Sequence, residues 1–248
     1  MRTLSLRLII VSTLLLQLPR TQAGFLDWLV KPTTTGTVTT AAVPLTQEEM
    51  VRGLREALSK GVGQAVATLG KDGGFLNNAA VKIPMPPQLQ TVEKTLRRLG
   101  QDKIADEFVA TMNHAAEQAV PLAANVFAGA ITNMTVTDAK AILTGPDDAA
   151  TQYFRKTSEA RLREKFLPIV RDATAKTGVT AAYKNLIQQA GPMAAFLGAD
   201  AGDLDGYITQ KALDGLFQMI AVEEKNIRQN PVARTTDLLK RVFSSSQK

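Results

Sequence analysis

The sequence predicts an all-α protein, built as a single-domain multi-helix bundle whose helices are kinked at prolines. Apolar residues recur every three or four positions along most of the chain from residue 45 to residue 243. Strict alternation of apolar and polar residues never lasts more than a few positions, and β-branched residues are concentrated in one threonine-rich stretch. We therefore expect helices that pack through one apolar face each, with short connections and no sheet.

Residues 1–23 have the three parts of a secretory signal peptide. Arg2 and Arg7 precede an apolar run from Leu8 to Leu18, and small residues at Thr21 and Ala23 suit a cleavage site before Gly24. A transmembrane helix needs about 20 apolar residues, and this run is shorter. The sequence therefore predicts export to the periplasm.

Residues 24–44 connect the signal peptide to the helical domain. Their first part is apolar, with Phe25, Trp28 and Leu29 at helical spacing. This part is expected either to contact the envelope membrane or a partner, or to fold back onto the core. Residues 33–44 contain six threonines and have the composition of a linker.

Local signals divide residues 45–243 into helices. Thr46 and Glu49 form a capping-box pattern at the start of the first helix, which the apolar spacing extends to about Leu69. Glycines and prolines then interrupt the pattern before a short helix that ends at Gly100. The helix that starts at Asp102 reaches Pro121, where a kink or a break is expected..

The second half of the domain follows the same rules. Thr135 or Thr137 is expected to cap a short helix, and Asp147 or Asp148 to cap a long helix with a second kink at Pro168. The remaining predicted elements are the end of that helix at Gly178, a short helix at 181–189, a loop at 191–202, a long helix from Asp203 to Asn230, a final helix that ends at Phe243, and a polar tail at 244–248.

Charge and composition exclude several kinds of site. The chain has 29 Lys and Arg against 23 Asp and Glu, and removal of the three arginines of the signal peptide leaves 26 against 23. The basic residues are dispersed and not interleaved with aromatic residues, so no nucleic-acid partner is expected. The lack of cysteine excludes thiolate metal sites, a lipid-anchored cysteine and c-type haem.

Catalytic and cofactor motifs are also missing from the sequence. His114 is the single histidine, whereas imidazole metal sites normally use two or three. No serine lies in a nucleophile motif, and no glycine-rich phosphate loop is present. His114 and Glu117 are one helical turn apart, which predicts a polar pair bonded locally on a helix face. The sequence therefore predicts no catalytic residue, no metal and no cofactor.

Several motifs carry a resemblance to a known family. In chain order they are residues 72–76 with 83–86, 112–119, 134–139 with 142–145, 150–155, 212–217 and 223–231. Together they resemble a bacterial exported family of unknown function, DUF4197, over about residues 45–243. The resemblance implies an exported, helical, single-domain protein with no established activity. The family's run at 113–117 has Arg where this chain has His114, which argues against a catalytic role for this histidine.

Polar residues within these motifs are the candidate site. They are Asn113, Glu117, Asp138, Arg155, Glu224 and Arg228. Glu117, Arg155, Glu224 and Arg228 are expected in the middle of helices, where a buried charge must be paired. We expect a polar cluster that joins these helices, and it either fixes their register or lines a ligand cleft.

Two functions are consistent with these observations. The first is a periplasmic binding or interaction module that takes an apolar ligand or an envelope protein into a groove between kinked helices. The alternative is a carboxylate-dependent hydrolase or lyase that uses Glu117 and Asp138. The alternative requires that both carboxylates reach one pocket and that at least one has a strongly raised pKa.

Overall fold

The computed structural model describes residues 45–178, 203–234 and 236–245. This part of the chain forms helices and contains no strand, which confirms the all-α prediction there. The predicted signal peptide, the residues Phe25, Trp28 and Leu29, the linker and the elements expected at 181–202 lie outside the described residues.

The described residues form eight α-helices, and a longer connection, residues 70–89, separates the first two. The helices are α1 (Gln47–Leu69), α2 (Gln90–Arg98), α3 (Asp102–Ala119), α4 (Ala123–Thr132), α5 (Val136–Thr144), α6 (Ala149–Lys176), α7 (Leu204–Gln229) and α8 (Asp237–Ser245). Helices α1, α3 and α6 all pack against α7, and α4 contacts both α1 and α6. The ring of Phe127 on α4 meets Phe154 on α6 and Phe217 on α7 edge-on, with centroids 4.9 and 6.1 Å away. Such geometry is favourable for aromatic pairs and marks the centre of the core.

Two helix starts agree with the predicted capping boxes. The backbone N–H of Glu49 donates to the Thr46 hydroxyl at 3.1 Å, and the Thr46 N–H donates to the Glu49 carboxylate at 3.0 Å. Thr135 and Asp138 repeat this arrangement at the start of α5, at 3.1 and 2.9 Å. Thr135, rather than Thr137, is therefore the cap of α5.

Prolines act differently at the two predicted kinks. At Pro121 a 3-10 turn, Val120–Leu122, separates α3 from α4, so the predicted break is confirmed. At Pro168 the long helix α6 continues without interruption. Gly100 and Gly178 follow the ends of α2 and α6, as predicted, with φ of 71° and 70°. Helix α8 reaches residue 245, two residues into the predicted polar tail.

No single described helix is both long and apolar enough to cross a membrane. Residues 102–132 and Val136–Thr144 meet the criterion only when they are taken together, and they are bent by 106° at the break between them.

Candidate functional site

Glu224 of α7 caps the first turn of α6. The start of a helix leaves backbone N–H groups without helical partners and carries a partial positive charge. Glu224 accepts from the Ala150 N–H at 2.9 Å, from the Thr151 N–H at 2.9 Å and from the Thr151 hydroxyl at 2.8 Å. Asp148, one of the two predicted residues, occupies the cap position of α6, but its side chain makes no capping bond there.

Arg228 completes this buried arrangement. Its Nε and Nη2 donate to Glu224 Oε1 at 3.1 and 2.9 Å, and Nη2 also donates to the Ile142 carbonyl of α5 at 2.7 Å. The pair therefore joins α5, α6 and α7. The apolar cavity beside it has a volume of about 20 Å³, which is room for about one water molecule. This arrangement suits a role in helix register and has no space for an apolar ligand.

Arg155 lies in a separate, more exposed place. Its guanidinium is 3.3 Å from Glu159 and 3.7 Å from Asp214, and it lies 4.4 Å from the ring centroid of Phe217. These contacts are a partly exposed ion pair and a cation–π contact. Among the described residues, the ion pairs of Arg155 connect α6 to α7 and do not involve the other candidate charges.

Glu117 binds the backbone of a turn that follows α1. Its carboxylate accepts from the N–H groups of Gly73 at 3.2 Å, Phe75 at 2.9 Å and Leu76 at 3.0 Å. Gly73 has a φ of 75°, a left-handed conformation that L side chains rarely adopt, and this conformation shapes the turn. The buried Glu117 carboxylate of α3 thus supplies hydrogen-bond acceptors to backbone N–H groups in a segment that forms no helix or strand.

Asn113, one helical turn before Glu117, holds the end of the same segment. Its Oδ1 accepts from the Ile83 N–H at 2.8 Å, and its Nδ2 donates to the carbonyls of Ile83 at 2.9 Å and Val109 at 2.8 Å. The Asn113 side chain is fully buried. Together, the two α3 side chains fix both ends of residues 73–83.

An open groove lies beside Glu117, and we call it the His114 groove. Its volume is about 540 Å³, and its walls include Gly70, Asp72, Thr111, His114, Gln118, Ala173 and Thr177. His114 Nδ1 is 2.7 Å from Glu117 Oε2 and 3.4 Å from Asp72 Oδ1. The predicted local bond between His114 and Glu117 is therefore confirmed, and the Asp72 carboxylate lies near the same imidazole nitrogen.

The pKa values of both candidate carboxyls are lowered. Burial is the largest influence on Glu117 and raises its pKa, but the hydrogen bonds from Leu76, His114, Phe75 and Gly73 together outweigh it. The bonds from the Thr135 hydroxyl and N–H lower the pKa of Asp138. Neither Glu117 nor Asp138 therefore has the raised pKa that the hydrolase alternative requires.

The ionised state of Glu117 also fixes a proton on His114. An ionised carboxylate can only accept hydrogen bonds, so the 2.7 Å contact requires the proton to lie on Nδ1. In the neutral imidazole, Nε2 then carries the free lone pair.

A family model agrees with the resemblance found in the sequence. The model of DUF4197, described as a protein of unknown function, matches residues 44–244. The chain belongs to the DUF4197 family. No curated protein and no solved structure gives a significant match to this chain.

The predicted candidate residues of this DUF4197 chain lie in four separate places. Glu224 pairs with Arg228, Arg155 lies with Asp214, Asp138 caps α5, and Asn113 and Glu117 hold the 73–83 segment. The structure thus does not bring them into one cluster. Sequence reasoning missed Asp72, and its signal was an acid directly before two glycines in a turn.

Proposed function

We propose that this DUF4197 protein is an exported, periplasmic binding module that takes a small polar ligand into the His114 groove. The observation that carries the proposal is an open groove of about 540 Å³ with fixed polar groups in its wall. This volume lies within the range of small-molecule sites, which is about 300–1,000 Å³. The side chains of His114 and Asp72 are 41% and 94% exposed, so a ligand can reach both of them.

The charges of the groove indicate the chemistry of the ligand. Asp72 and Glu117 contribute carboxylates, and Thr111, Gln118 and Thr177 contribute neutral polar groups. Carboxylates accept hydrogen bonds and attract positive charge. The preferred ligand therefore carries N–H or O–H donors or a positive charge.

An apolar ligand, the expectation from sequence, has less support. The apolar cavity beside Glu224 has a volume of about 20 Å³, which is far below the volume of an organic molecule. Pro121 and Ala173 give the His114 groove an apolar part, so the ligand combines its donors with a small apolar portion. An envelope protein that inserts one basic or amide side chain has the same chemistry.

A binding role is also favoured over acid–base catalysis by the two carboxylates. A general acid near neutral pH needs a raised pKa, and Glu117 and Asp138 have lowered pKa values. Each of them is engaged with backbone N–H groups, Glu117 at 73–76 and Asp138 at Thr135.

Retention of a ligand by the protein from its own compartment tests this function. Native mass spectrometry of chain released from the periplasm should show a bound small molecule. Gln118→Trp places a large side chain in the wall of the groove and should remove the bound mass. Gln218→Trp, at an exposed position of α7, is the matched control and should keep it. Recovery of bare chain from the wild type, or equal retention by both variants, would contradict the proposal.

Export and envelope contact have separate tests. The intact mass of the recovered protein should correspond to a chain that starts at Gly24. We propose that Phe25, Trp28 and Leu29 contact the envelope membrane or a partner. Deletion of residues 24–44 should then abolish sedimentation with liposomes or envelope and leave the thermal unfolding temperature unchanged. A mature chain that keeps residues 1–23 would contradict export with cleavage before Gly24. Envelope association that survives the deletion would contradict the proposed contact by Phe25, Trp28 and Leu29.

A further inference from the structure

We propose that the His114 groove binds one divalent transition-metal ion through His114 Nδ1, Glu117 Oε2 and a carboxylate oxygen of Asp72. The inference rests on the proposed function, because the ion occupies the same groove and presents open coordination positions to an uncharged nitrogen or oxygen atom of the polar ligand. The groove thus first binds a metal ion such as Zn²⁺ or Mn²⁺, and the polar ligand then binds to that ion.

The distances between the three donor groups suit a metal ion. One donor atom from each of Asp72, His114 and Glu117 lies within 4.8 Å of the other two. Ligands bound at 2.0–2.2 Å to one ion lie about 3–3.5 Å apart. The 3.4 Å between His114 Nδ1 and Asp72 Oδ1 already fits this range. The 2.7 Å hydrogen bond between His114 and Glu117 has to open by roughly 0.5 Å as the ion takes the place of the Nδ1 proton, and Nε2 takes up a proton so that the imidazole stays neutral.

The surrounding backbone orients Glu117 as a ligand. Its Oε1 accepts from the N–H groups of Phe75 and Leu76, which leaves Oε2 directed at His114. Ligating carboxylates in metal sites are usually held by such outer hydrogen bonds. The orientation of this donor therefore exists before any ion binds.

Asp72 is held by the same turn. It directly precedes Gly73, whose N–H binds Glu117 Oε2 at 3.2 Å. A Cβ at Gly73 would approach the side-chain amide of Asn77 to 2.3 Å, so this position of the turn has room for glycine and not for a larger residue in the same conformation. Two of the three donors, Asp72 and Glu117, are thus connected through one turn.

The composition of the chain makes this site the main candidate for a transition metal. The donor set is one imidazole and two carboxylates, which suits Zn²⁺ and Mn²⁺. The chain has no cysteine and one histidine, so no thiolate and no second imidazole competes for the ion. Three protein ligands in an open groove also leave positions for water or for a ligand, as in metal sites that bind exogenous molecules.

Titration of the mature, tag-free chain with Zn²⁺ alone and with Mn²⁺ alone tests the inference by isothermal calorimetry. We expect one ion per chain for at least one of the two metals. Asp72→Asn and His114→Ala should each weaken that binding at least tenfold. Asp237→Asn is the matched control, because its side chain is 92% exposed against 94% for Asp72, and it should change Kd less than twofold. Far-UV circular dichroism checks that all variants fold.

A second measurement uses the single histidine. In ¹⁵N-labelled chain the two imidazole nitrogens give one assigned pair of signals, and metal binding should shift Nδ1 more than Nε2. Lack of stoichiometric binding of both metals, an equal loss in Asp237→Asn, or a shift confined to Nε2 would overturn the inference.

The two proposals fail in different ways. Gln118→Trp should lose the polar ligand and keep the metal, whereas Asp72→Asn should lose the metal. Ligand retention without metal binding overturns the metal inference alone. Metal binding without any retained ligand supports the metal inference and contradicts the polar ligand of the proposed function.

Discussion

Removal of the Glu224 carboxylate should destabilise the whole bundle. Glu224→Ala deprives the N–H groups of Ala150 and Thr151 and the Thr151 hydroxyl of their acceptor. It also leaves Arg228, with a side chain only 12% exposed, without its carboxylate. Breaking a buried pair by removal of one partner costs about 3–5 kcal/mol, and bonds to a charged acceptor contribute about 1.5–3 kcal/mol each. These contributions overlap, so we expect a total loss of about 3–5 kcal/mol.

Urea denaturation followed by circular dichroism measures this loss, and Tm should fall by roughly 6–20 °C. Glu223→Ala is the control, since neighbouring helical side chains point about 100° apart and Glu223 forms no ion pair with the described residues. Its effect should stay within about 0.5 kcal/mol. Hydrogen exchange should speed up at the amides of Ala150 and Thr151.

Equal destabilisation by Glu223→Ala and Glu224→Ala would refute the capping argument. If Glu224→Ala does not fold, Thr151→Val removes one hydroxyl only and should cost about 1–2 kcal/mol. A Thr151→Val chain as stable as the wild type would then contradict the same argument.

Three further predictions concern other contacts. Asn113→Ala removes the side-chain partner of the Ile83 N–H and carbonyl groups and should lower the free energy of unfolding, measured in urea, by about 2–4 kcal/mol. Hydrogen exchange at the Ile83 amide should become faster, and exchange at the wild-type rate would contradict this prediction. Asp138→Ala breaks the α5 capping box and should lower stability by about 1 kcal/mol while the retained ligand is unaffected, so loss of that ligand would contradict the separation of the two places. The pKa of Glu117 is lower in the folded chain than in the unfolded one, so its stabilisation is fully present above about pH 4.3 and lost as the pH falls through the folded value. Glu117→Gln should therefore flatten the acid side of the stability profile, and an unchanged acid slope would refute this assignment.

The parts of the fold that sequence predicted correctly depend on short-range chemistry. Thr46 with Glu49 and Thr135 with Asp138 form caps between residues three positions apart, so the pattern is visible in the sequence itself. The break at Pro121 follows from the missing N–H of proline. Such features need no knowledge of how the helices pack.

The cap of α6 shows why the rest could not be predicted. Asp148 stands at the right position in the sequence, yet the acceptor comes from Glu224, more than 70 residues away along the chain. The candidate charges were expected to meet because all lie within helices. Which of them meet depends on helix rotation and crossing, and the structure pairs Glu224 with Arg228 on its own helix. Asp72 was overlooked because its importance arises only when the turn folds against α3.

The hydrogen bonds of Glu117 and Asn113 to residues 73–83 involve main-chain N–H and carbonyl groups. Main-chain atoms are the same for every amino acid apart from proline, so most side chains of this segment can be exchanged without loss of these bonds. The exceptions are Gly73, Gly74 and the buried residues Phe75, Val81 and Ile83. The backbone path of residues 73–83 is therefore determined largely by two side chains of α3, Glu117 and Asn113. The turn can therefore be given a different metal-ligating side chain at position 72 while Glu117 and Asn113 of α3 keep residues 73–83 in place.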